Sequence, residues 1–142
     1  MPDSEPISEP IDELLIEQLV RRFYARIRLD EKLAPIFAAR IEDWEAHLQR
    51  MMAFWSSVML ASGRYHGHPM QKHASLPIDA RHFDHWLALF EATANEVCGT
   101  ARAGQFMERA RRIATSLEMG RADTQGLLLA RGQRFVDPQL TA

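Results

Sequence analysis

Apolar side chains recur along most of the chain at the spacing of one face of an α-helix. The first such pattern predicts a helix over residues 11–27, with apolar positions at Ile11, Leu14, Leu15, Val20 and Phe23. Residues 33–37 are also apolar. Because Pro35 disfavours a continuous helix, this second segment is predicted to form only a short helix or a turn.

A second long helix is predicted to begin near Asp43, a residue type favoured as an N-cap, and to end at Gly63. It carries one apolar stripe with a histidine at its head: His47, Met51, Phe54, Trp55 and Val58. Residues 63–69 contain two glycines and are predicted to form a loop. Pro69 can then open a short helix that carries His73.

The second half of the chain predicts two more long helices. Asp79 can cap the first of them, and Gly99 is a good terminator. Its apolar face consists of Phe83, Trp86, Leu87, Phe90, Ala94 and Val97. The other is predicted over about residues 104–129, with Phe106, Ile113 and Leu117 facing inward.

The two ends of the chain differ from the helical part. Residues 1–10 hold three prolines and three acidic residues, which predicts a flexible acidic leader. Residues 131–142 contain Pro138 and are predicted to form a frayed tail. The expected domain therefore covers residues 11–130.

Composition supports an all-α fold and excludes several classes of protein. Alanine and leucine together outnumber isoleucine, valine and threonine two to one, which favours helices over strands. The net charge of −2 argues against nucleic acid as a partner, and the single cysteine excludes a disulfide framework. No apolar run is long enough to cross a membrane, and the N-terminus does not read as a signal peptide, so a cytoplasmic location is expected.

Rare residue types are concentrated in one stretch, because all six histidines and all three tryptophans lie between Trp44 and Trp86. On its short helix, His73 could direct an imidazole at a metal, or it could be structural or exposed. His47 could instead be a boundary residue with one ring nitrogen in water. Tyr24 needs a partner for its hydroxyl if it is buried, and this partner could be a backbone carbonyl. Trp86 could be a plain core residue, or its indole N–H could donate a hydrogen bond at a site.

Two histidine pairs could be read as zinc ligands. The first is His66 and His68, and the second is His82 and His85. No cysteine or HExxH spacing accompanies either pair, so the sequence argues against a dedicated zinc site. Cys98 is expected to pack as a small apolar residue.

Taken together and in order, several segments resemble the group III truncated haemoglobins of bacteria. They are Phe23-Tyr24, Leu33-Ala34-Pro35-Ile36-Phe37, Trp44-Glu45-Ala46-His47, Phe54-Trp55, Tyr65-His66-Gly67-His68-Pro69, His73 and the segment from Phe83 to Phe90. The resemblance covers about residues 11–120. The glycine-pair motifs of the other truncated-haemoglobin groups are missing, which fits group III.

The resemblance implies a truncated globin fold, a two-over-two helical sandwich around haem b. It implies that His73 ligates the iron, that Tyr24, His47 and Trp86 form the distal pocket, and that Phe37 packs on the haem. Met51 and Phe54 lie one and two turns beyond His47 and would line the pocket. Arg50 is a further candidate binding residue, because its side chain could reach a haem propionate.

Three functions remain open at this point. The first is a globin that binds O2, NO and CO for NO, O2 or peroxide chemistry, with an external electron donor because the sequence holds no reductase domain. The second is a peroxidase-type haem enzyme in which His47 shuttles protons. The third is a haem-free helical interaction module, in which the histidines are incidental.

Overall fold

The helical prediction is confirmed in the computed structural model, which describes residues 10–69, 73 and 76–140. The helices are α1 (Glu13–Ile27), α2 (Ala34–Ala38), α3 (Trp44–Leu60), α4 (Ala80–Cys98) and α5 (Thr100–Thr124), followed by a 3-10 helix (Pro138–Leu140). No residue in these described ranges forms a β-strand, and no described helix is long and apolar enough to cross a bilayer. Apart from Pro10, the predicted acidic leader lies outside the described residues.

Aspartates cap the three long helices that form the first part of the chain. The Asp12 carboxylate accepts a hydrogen bond from the Leu15 N–H at 2.9 Å and so begins α1. Asp43 caps α3 as predicted, and its carboxylate accepts from the Ala46 N–H at 3.1 Å. Asp79 caps α4, also as predicted.

The ends of α3 and α5 differ from the prediction. Helix α3 ends at Leu60 rather than at Gly63, because Ala61 adopts a left-handed backbone conformation with φ of 53°. Helix α5 begins at Thr100, directly after the Gly99 bend, and not near residue 104. Gly104 lies inside this helix with open space around its Cα, so it does not interrupt the helix.

The long helices pack in two layers. Helix α1 packs against α3, helix α4 packs along α5, and α1 also crosses α4 and so joins the two pairs. The main core lies where these pairs meet, and its largest fully buried side chains include Phe23, Phe90, Phe106, Ile16 and Leu19. The shorter element α2 and the residue His73 lie together with parts of the long helices around one cavity.

The segment after residue 131 was predicted to be frayed, but in the structure it packs against α4 and α5. Phe135 is fully buried, and its carbonyl accepts a hydrogen bond from the Ala80 N–H at 2.8 Å. The segment is fixed to α4 and α5 by a group of charged and aromatic residues that we call the C-terminal clamp: Asp79, Glu118, Arg121, Arg134, Phe135 and Asp137. The sequence pattern missed this docking because one buried phenylalanine next to an exposed valine, Val136, has no helical or strand periodicity.

Candidate functional site

A cavity of about 450 Å³ lies between α1, α2, α3, α4, α5 and the segment that carries His73. Each predicted site residue lines it: Tyr24, Phe37, His47, Arg50, Met51, Phe54, His73 and Trp86. These residues come from five separate elements, and the two-layer packing brings them together. The volume and the mainly apolar lining are typical of a small-molecule or cofactor site.

One side of the cavity is built from aromatic rings, and we call it the aromatic wall: Tyr24, Phe37, His47, Phe54 and Trp86. The Tyr24 ring meets His47 edge-on with 5.0 Å between ring centroids, and it meets Phe37 edge-on at 5.9 Å. Tyr24 is buried, and this burial raises the pKa of its phenol well above the ordinary value, so the hydroxyl keeps its proton. The phenol therefore stays a hydrogen-bond donor at neutral pH.

The His47 ring contacts two other aromatic rings. Trp44 meets it edge-on with 5.9 Å between centroids, and Trp44 also lies beside Tyr24 at 6.4 Å, so the three rings form one cluster. The Nε2 atom of His47 is buried. Water therefore does not reach this nitrogen, although the residue as a whole is half-buried.

A stack of aromatic rings fixes Trp86 behind the cavity. Its ring lies parallel to Phe90 at 5.3 Å between centroids, and Phe90 in turn stacks on Trp55 at 5.2 Å. Phe23 meets Trp86 edge-on at 5.5 Å. Because stacked and edge-on ring contacts have preferred geometries, this packing favours one orientation of the Trp86 indole at the cavity.

A second part of the lining, which we call the imidazole side, consists of His73, Leu76 and Ile78. Pro69 and His73 both have helical backbone, and residues 70–72 and 74–75, where the short helix was predicted, lie outside the described ranges. The Nδ1 atom of His73 lies 2.7 Å from the Pro69 carbonyl oxygen. A carbonyl only accepts, so Nδ1 carries the proton and Nε2 is the unprotonated nitrogen.

Below His73, a small second core supports the imidazole side. Ile78, Phe83 and Ala114 are buried together, with Ile36, Leu76, Leu87 and Leu117 packed against them. Residues of the main core also line the cavity, and Leu87 packs against both clusters. The apolar lining of the cavity is therefore shared by two connected clusters.

Charged and polar side chains stand at the rim. Arg40 and Arg50 line the cavity and are exposed. The Tyr65 ring packs edge-on against Phe54 at 5.2 Å. A Cβ on Gly67 would lie 2.2 Å from the Tyr65 hydroxyl oxygen, so glycine is what permits Tyr65 to lie there.

Sequence reasoning missed three lining residues with polar side chains: Arg40, Tyr65 and His82. Tyr65 lies in the loop segment that carried the resemblance, which was a usable signal. His82 occupies the third position of α4, and its Nδ1 atom accepts a hydrogen bond from the Asp79 N–H at 3.1 Å. That position normally takes Glu or Gln in a capping box, so a histidine there gave no pattern to recognise. Arg40 follows α2, and its place at the rim depends on how α2 packs.

The histidine pairs considered for zinc have other roles or positions. The His85 Nε2 atom lies 2.7 Å from the Asp30 carboxylate, and His82 completes the cap of α4. His66 and His68 are both exposed in the loop before Pro69. Among the residues that the structure describes, no three histidine, cysteine or acidic side chains are arranged to hold a metal ion.

The lining fits a large apolar disc with an anionic edge better than it fits a polar metabolite. The His73 imidazole, with its lone pair on Nε2, lies in a mainly apolar lining that also includes arginines. Metal-binding histidines almost always donate their other ring N–H to a carbonyl or carboxylate, as His73 does to Pro69. Haem needs this combination of one axial imidazole and apolar walls.

Comparison with known proteins defines the class. Residues 12–118 match the family described as bacterial-like globin, and the chain belongs to that family. This membership implies a haem-binding globin that takes a diatomic gas ligand. The resemblance to group III truncated haemoglobins is confirmed.

Two relatives show how close the similarity is. The chain is 35% identical over 101 residues to the group 3 truncated hemoglobin of Campylobacter jejuni, which covers 68% of this chain and 80% of that protein. The crystal structure of the group III truncated hemoglobin from Campylobacter jejuni superposes with a TM-score of 0.74 and 34% identity, and covers 78% of this chain and 91% of that one. The group II truncated hemoglobin of Bacillus anthracis, at 23% identity and a TM-score of 0.67 over 80% of this chain and 92% of that one, shares the fold.

Proposed function

We propose that the protein binds haem b in this cavity, with His73 as the iron ligand, and that it carries out NO, O2 or peroxide chemistry rather than bulk oxygen transport. The observation that carries the proposal is the hydrogen bond from His73 Nδ1 to the Pro69 carbonyl, which leaves Nε2 as the metal-binding nitrogen. Cys98 is buried in the core and does not line the cavity, which favours a haem held without a covalent link. We expect the protein to work in the cytoplasm.

The other residues of the cavity would hold the cofactor by its two kinds of surface. Phe37, Met51 and Phe54 supply apolar contacts for the macrocycle. Arg50 stands at the rim, where its guanidinium can pair with a propionate. Haem iron, when bound, supplies an open coordination position for a diatomic molecule.

Residues of the aromatic wall would then donate hydrogen bonds to that diatomic ligand. Tyr24 keeps its proton and can donate a hydrogen bond to a ligand atom that carries partial negative charge. The Trp86 N–H is a second donor. Hydrogen bonds to charged acceptors contribute about 1.5–3 kcal/mol each, and every 1.4 kcal/mol is about a factor of ten, so two donors slow ligand release by orders of magnitude. Slow release suits chemistry on the bound ligand and not delivery. Turnover would need an external electron donor.

Absorption spectroscopy of the ferric, reduced and CO-bound states tests the proposal. The wild-type protein is expected to give an intense Soret band that shifts on reduction and on CO binding. His73→Gly should lose or strongly alter these bands, and added imidazole should restore them by occupying the vacated space. His68→Gly is the matched control, because His68 is exposed and does not line the cavity.

Two outcomes would contradict the proposal. A wild-type protein that takes up no haem on titration would leave the haem-free interaction module as the better account. Unchanged spectra in the His73 variant would show that another residue ligates the iron.

A second function, a peroxidase-type activity, is favoured by one observation. His47 Nε2 is buried beside the Tyr24 ring at the cavity, where an imidazole can take up and return a proton. His47→Leu should abolish peroxide turnover while O2 binding is retained. Retained peroxide turnover in this variant would exclude His47 as the proton shuttle.

A further inference from the structure

Four charged side chains are buried at the start of α4, outside the cavity. Asp79 is fully buried, and Glu118, Arg121 and Asp137 are each no more than 5% exposed. Buried charges are costly unless they are paired and hydrogen-bonded, so this cluster needs an explanation. Arg121, Arg134, Phe135 and Asp137 lie beyond residues 12–118, the part of the chain that matches the globin family.

The C-terminal clamp pairs these charges with one another and with the docked segment. Arg121 donates to the Asp137 carboxylate at 3.1 Å, and the Asp137 N–H donates to Asp79 at 3.0 Å. Glu118 accepts from the Phe135 N–H at 2.8 Å and from Arg134. The Arg121 guanidinium also lies over the Phe135 ring, with 5.4 Å to its centroid.

One contact of Arg121 leads out of the clamp towards the cavity. Its Nε–H donates to the Ile78 carbonyl at 3.3 Å, in a buried position. The Ile78 N–H donates to the Leu76 carbonyl at 2.9 Å, and the Leu76 N–H donates to the His73 carbonyl at 3.2 Å. Three hydrogen bonds therefore connect Arg121 to the backbone of His73.

We propose that Arg121 is a positioning residue for His73: through the backbone of Ile78 and Leu76 it fixes the orientation of the His73 imidazole in the cavity. The inference rests on the proposed function, because it assumes that His73 ligates the iron. Asp137 holds Arg121 in place, so the segment after α5 completes the imidazole side. Sub-ångström placement of a ligand matters, since a metal centre responds to the orientation of its histidine.

The test replaces the buried pair by apolar residues of similar size. The double variant Arg121→Met/Asp137→Leu removes the donor to Ile78 and leaves no buried charge without its partner, and such replacements are often tolerated. Arg121→Lys is the second variant. It keeps a positive charge near Asp137 but lacks the Nε–H donor. Asp84→Asn is the matched control, because Asp84 pairs with Arg134 of the same clamp and is exposed.

Two measurements on the haem-loaded protein are needed. Hydrogen exchange at the Leu76 and Ile78 amides should become about tenfold faster in both Arg121 variants and stay unchanged in the control, because one hydrogen bond corresponds to about a factor of ten. The iron–histidine stretching band of the reduced protein should shift or broaden in the Arg121 variants only. A purely structural role would lower stability without altering that band. Met107→Ala, which removes a buried core side chain of α5 away from the cavity, serves as the stability control.

Unchanged exchange at the two amides would overturn the inference, and so would faster exchange with an unchanged iron–histidine band. The failure of the proposed function is distinguishable from both. In that case the wild-type protein itself lacks an iron–histidine band that depends on His73.

Discussion

The aromatic wall and the imidazole side of the same cavity are held in place by different interactions. In the aromatic wall, Trp86 is fixed by ring stacking on Phe90 and by an edge contact with Phe23. On the imidazole side, Ile78 is fixed by a hydrogen bond from the buried, charged Arg121. Packing of uncharged rings is insensitive to pH, whereas a network of buried carboxylates is not. The two sides should therefore respond differently to mutation and to acid.

The aromatic wall and the imidazole side also differ in which part of the chain forms them, side chains in one case and backbone in the other. A ligand that binds in the cavity would meet side chains of the aromatic wall, which are positioned by contacts between rings. The imidazole side depends on backbone hydrogen bonds that run from His73 through Leu76 to Ile78. Changes there are expected to act on all three residues together.

The largest effect is expected from Phe90→Ala. The ring is 1% exposed and lies between Trp55 and Trp86, so its removal leaves a cavity in the stack. We expect the free energy of unfolding to fall by about 3–5 kcal/mol. Urea unfolding at pH 7 and at pH 4 measures it.

The loss caused by Phe90→Ala should be the same at the two pH values, because the stack holds no titratable group. Phe54→Ala, at the half-buried rim of the cavity, is the control and should cost less. If the loss of unfolding free energy in Phe90→Ala changed strongly with pH, the aromatic wall and the imidazole side would not differ in their sensitivity to acid.

Tyr24→Phe removes a donor from the aromatic wall and leaves its packing. We expect O2 release to become about 10- to 100-fold faster, which corresponds to the loss of one hydrogen bond to a charged acceptor, about 1.5–3 kcal/mol. Stopped-flow ligand replacement measures the rate. CO carries little charge when bound, so its release rate is the internal control. Equal acceleration for both gases would indicate a steric effect in place of a lost hydrogen bond.

Asp79→Asn tests the C-terminal clamp, which supports the imidazole side. The readout is how the stability of the protein depends on pH. Hydrogen bonds from Arg81 and from the Asp137 N–H hold the pKa of the Asp79 carboxyl at about 2, although burial acts to raise it. Its pKa is thus lower in the folded than in the unfolded protein, so the carboxylate stabilises the fold above about pH 4, and this stabilisation is lost as the pH falls to about 2. The contribution is about 2 kcal/mol at neutral pH.

The measurement for Asp79 is urea unfolding of the wild type and of Asp79→Asn at pH 6, 4 and 3. The difference between the two proteins should be largest at pH 6 and should shrink towards pH 3. Asparagine is as good an N-cap as aspartate, so the substitution isolates the charge. A constant difference across this range would show that the charge of Asp79 contributes nothing.

The smallest effect is expected from Asp43→Ala. Asp43 caps α3 as Asp79 caps α4, but Asp43 is exposed and its carboxylate accepts only from the Ala46 N–H among the described hydrogen bonds. Loss of a cap of this kind lowers the free energy of unfolding by about 1 kcal/mol, as thermal or urea unfolding can measure. If Asp43→Ala lowered the free energy of unfolding by more than Asp79→Asn does, the burial of Asp79 would not make it the more important of the two caps.

Local patterns predicted most of the helices and their caps. Asp43 and Asp79 act as N-caps because capping depends only on residues within one turn. The apolar stripe that begins at His47 also faces the cavity, since helical periodicity fixes which residues share a face. The end of α3 could not be predicted in this way, because Ala61 adopts a left-handed conformation that its residue type disfavours.

Candidate site residues were accessible from the sequence through a family resemblance and not through spacing. Tyr24, His73 and Trp86 come from different elements, and nothing in their separation along the chain indicates that they share a cavity. The roles of these residues stay predictions until the variants are measured. His82 and Arg40 were missed because their residue types have many other uses at a helix start or in a loop.

The sequence by itself determined the helical class and the capped starts of α3 and α4. These follow from interactions between residues a few positions apart. Only the tertiary structure decided that Arg121 and Asp137 become a buried pair, and that Arg121 reaches Ile78. Those contacts join positions 16 and 43 residues apart, where no periodicity links one residue to the other, so they depend on how α4, α5 and the segment after α5 pack.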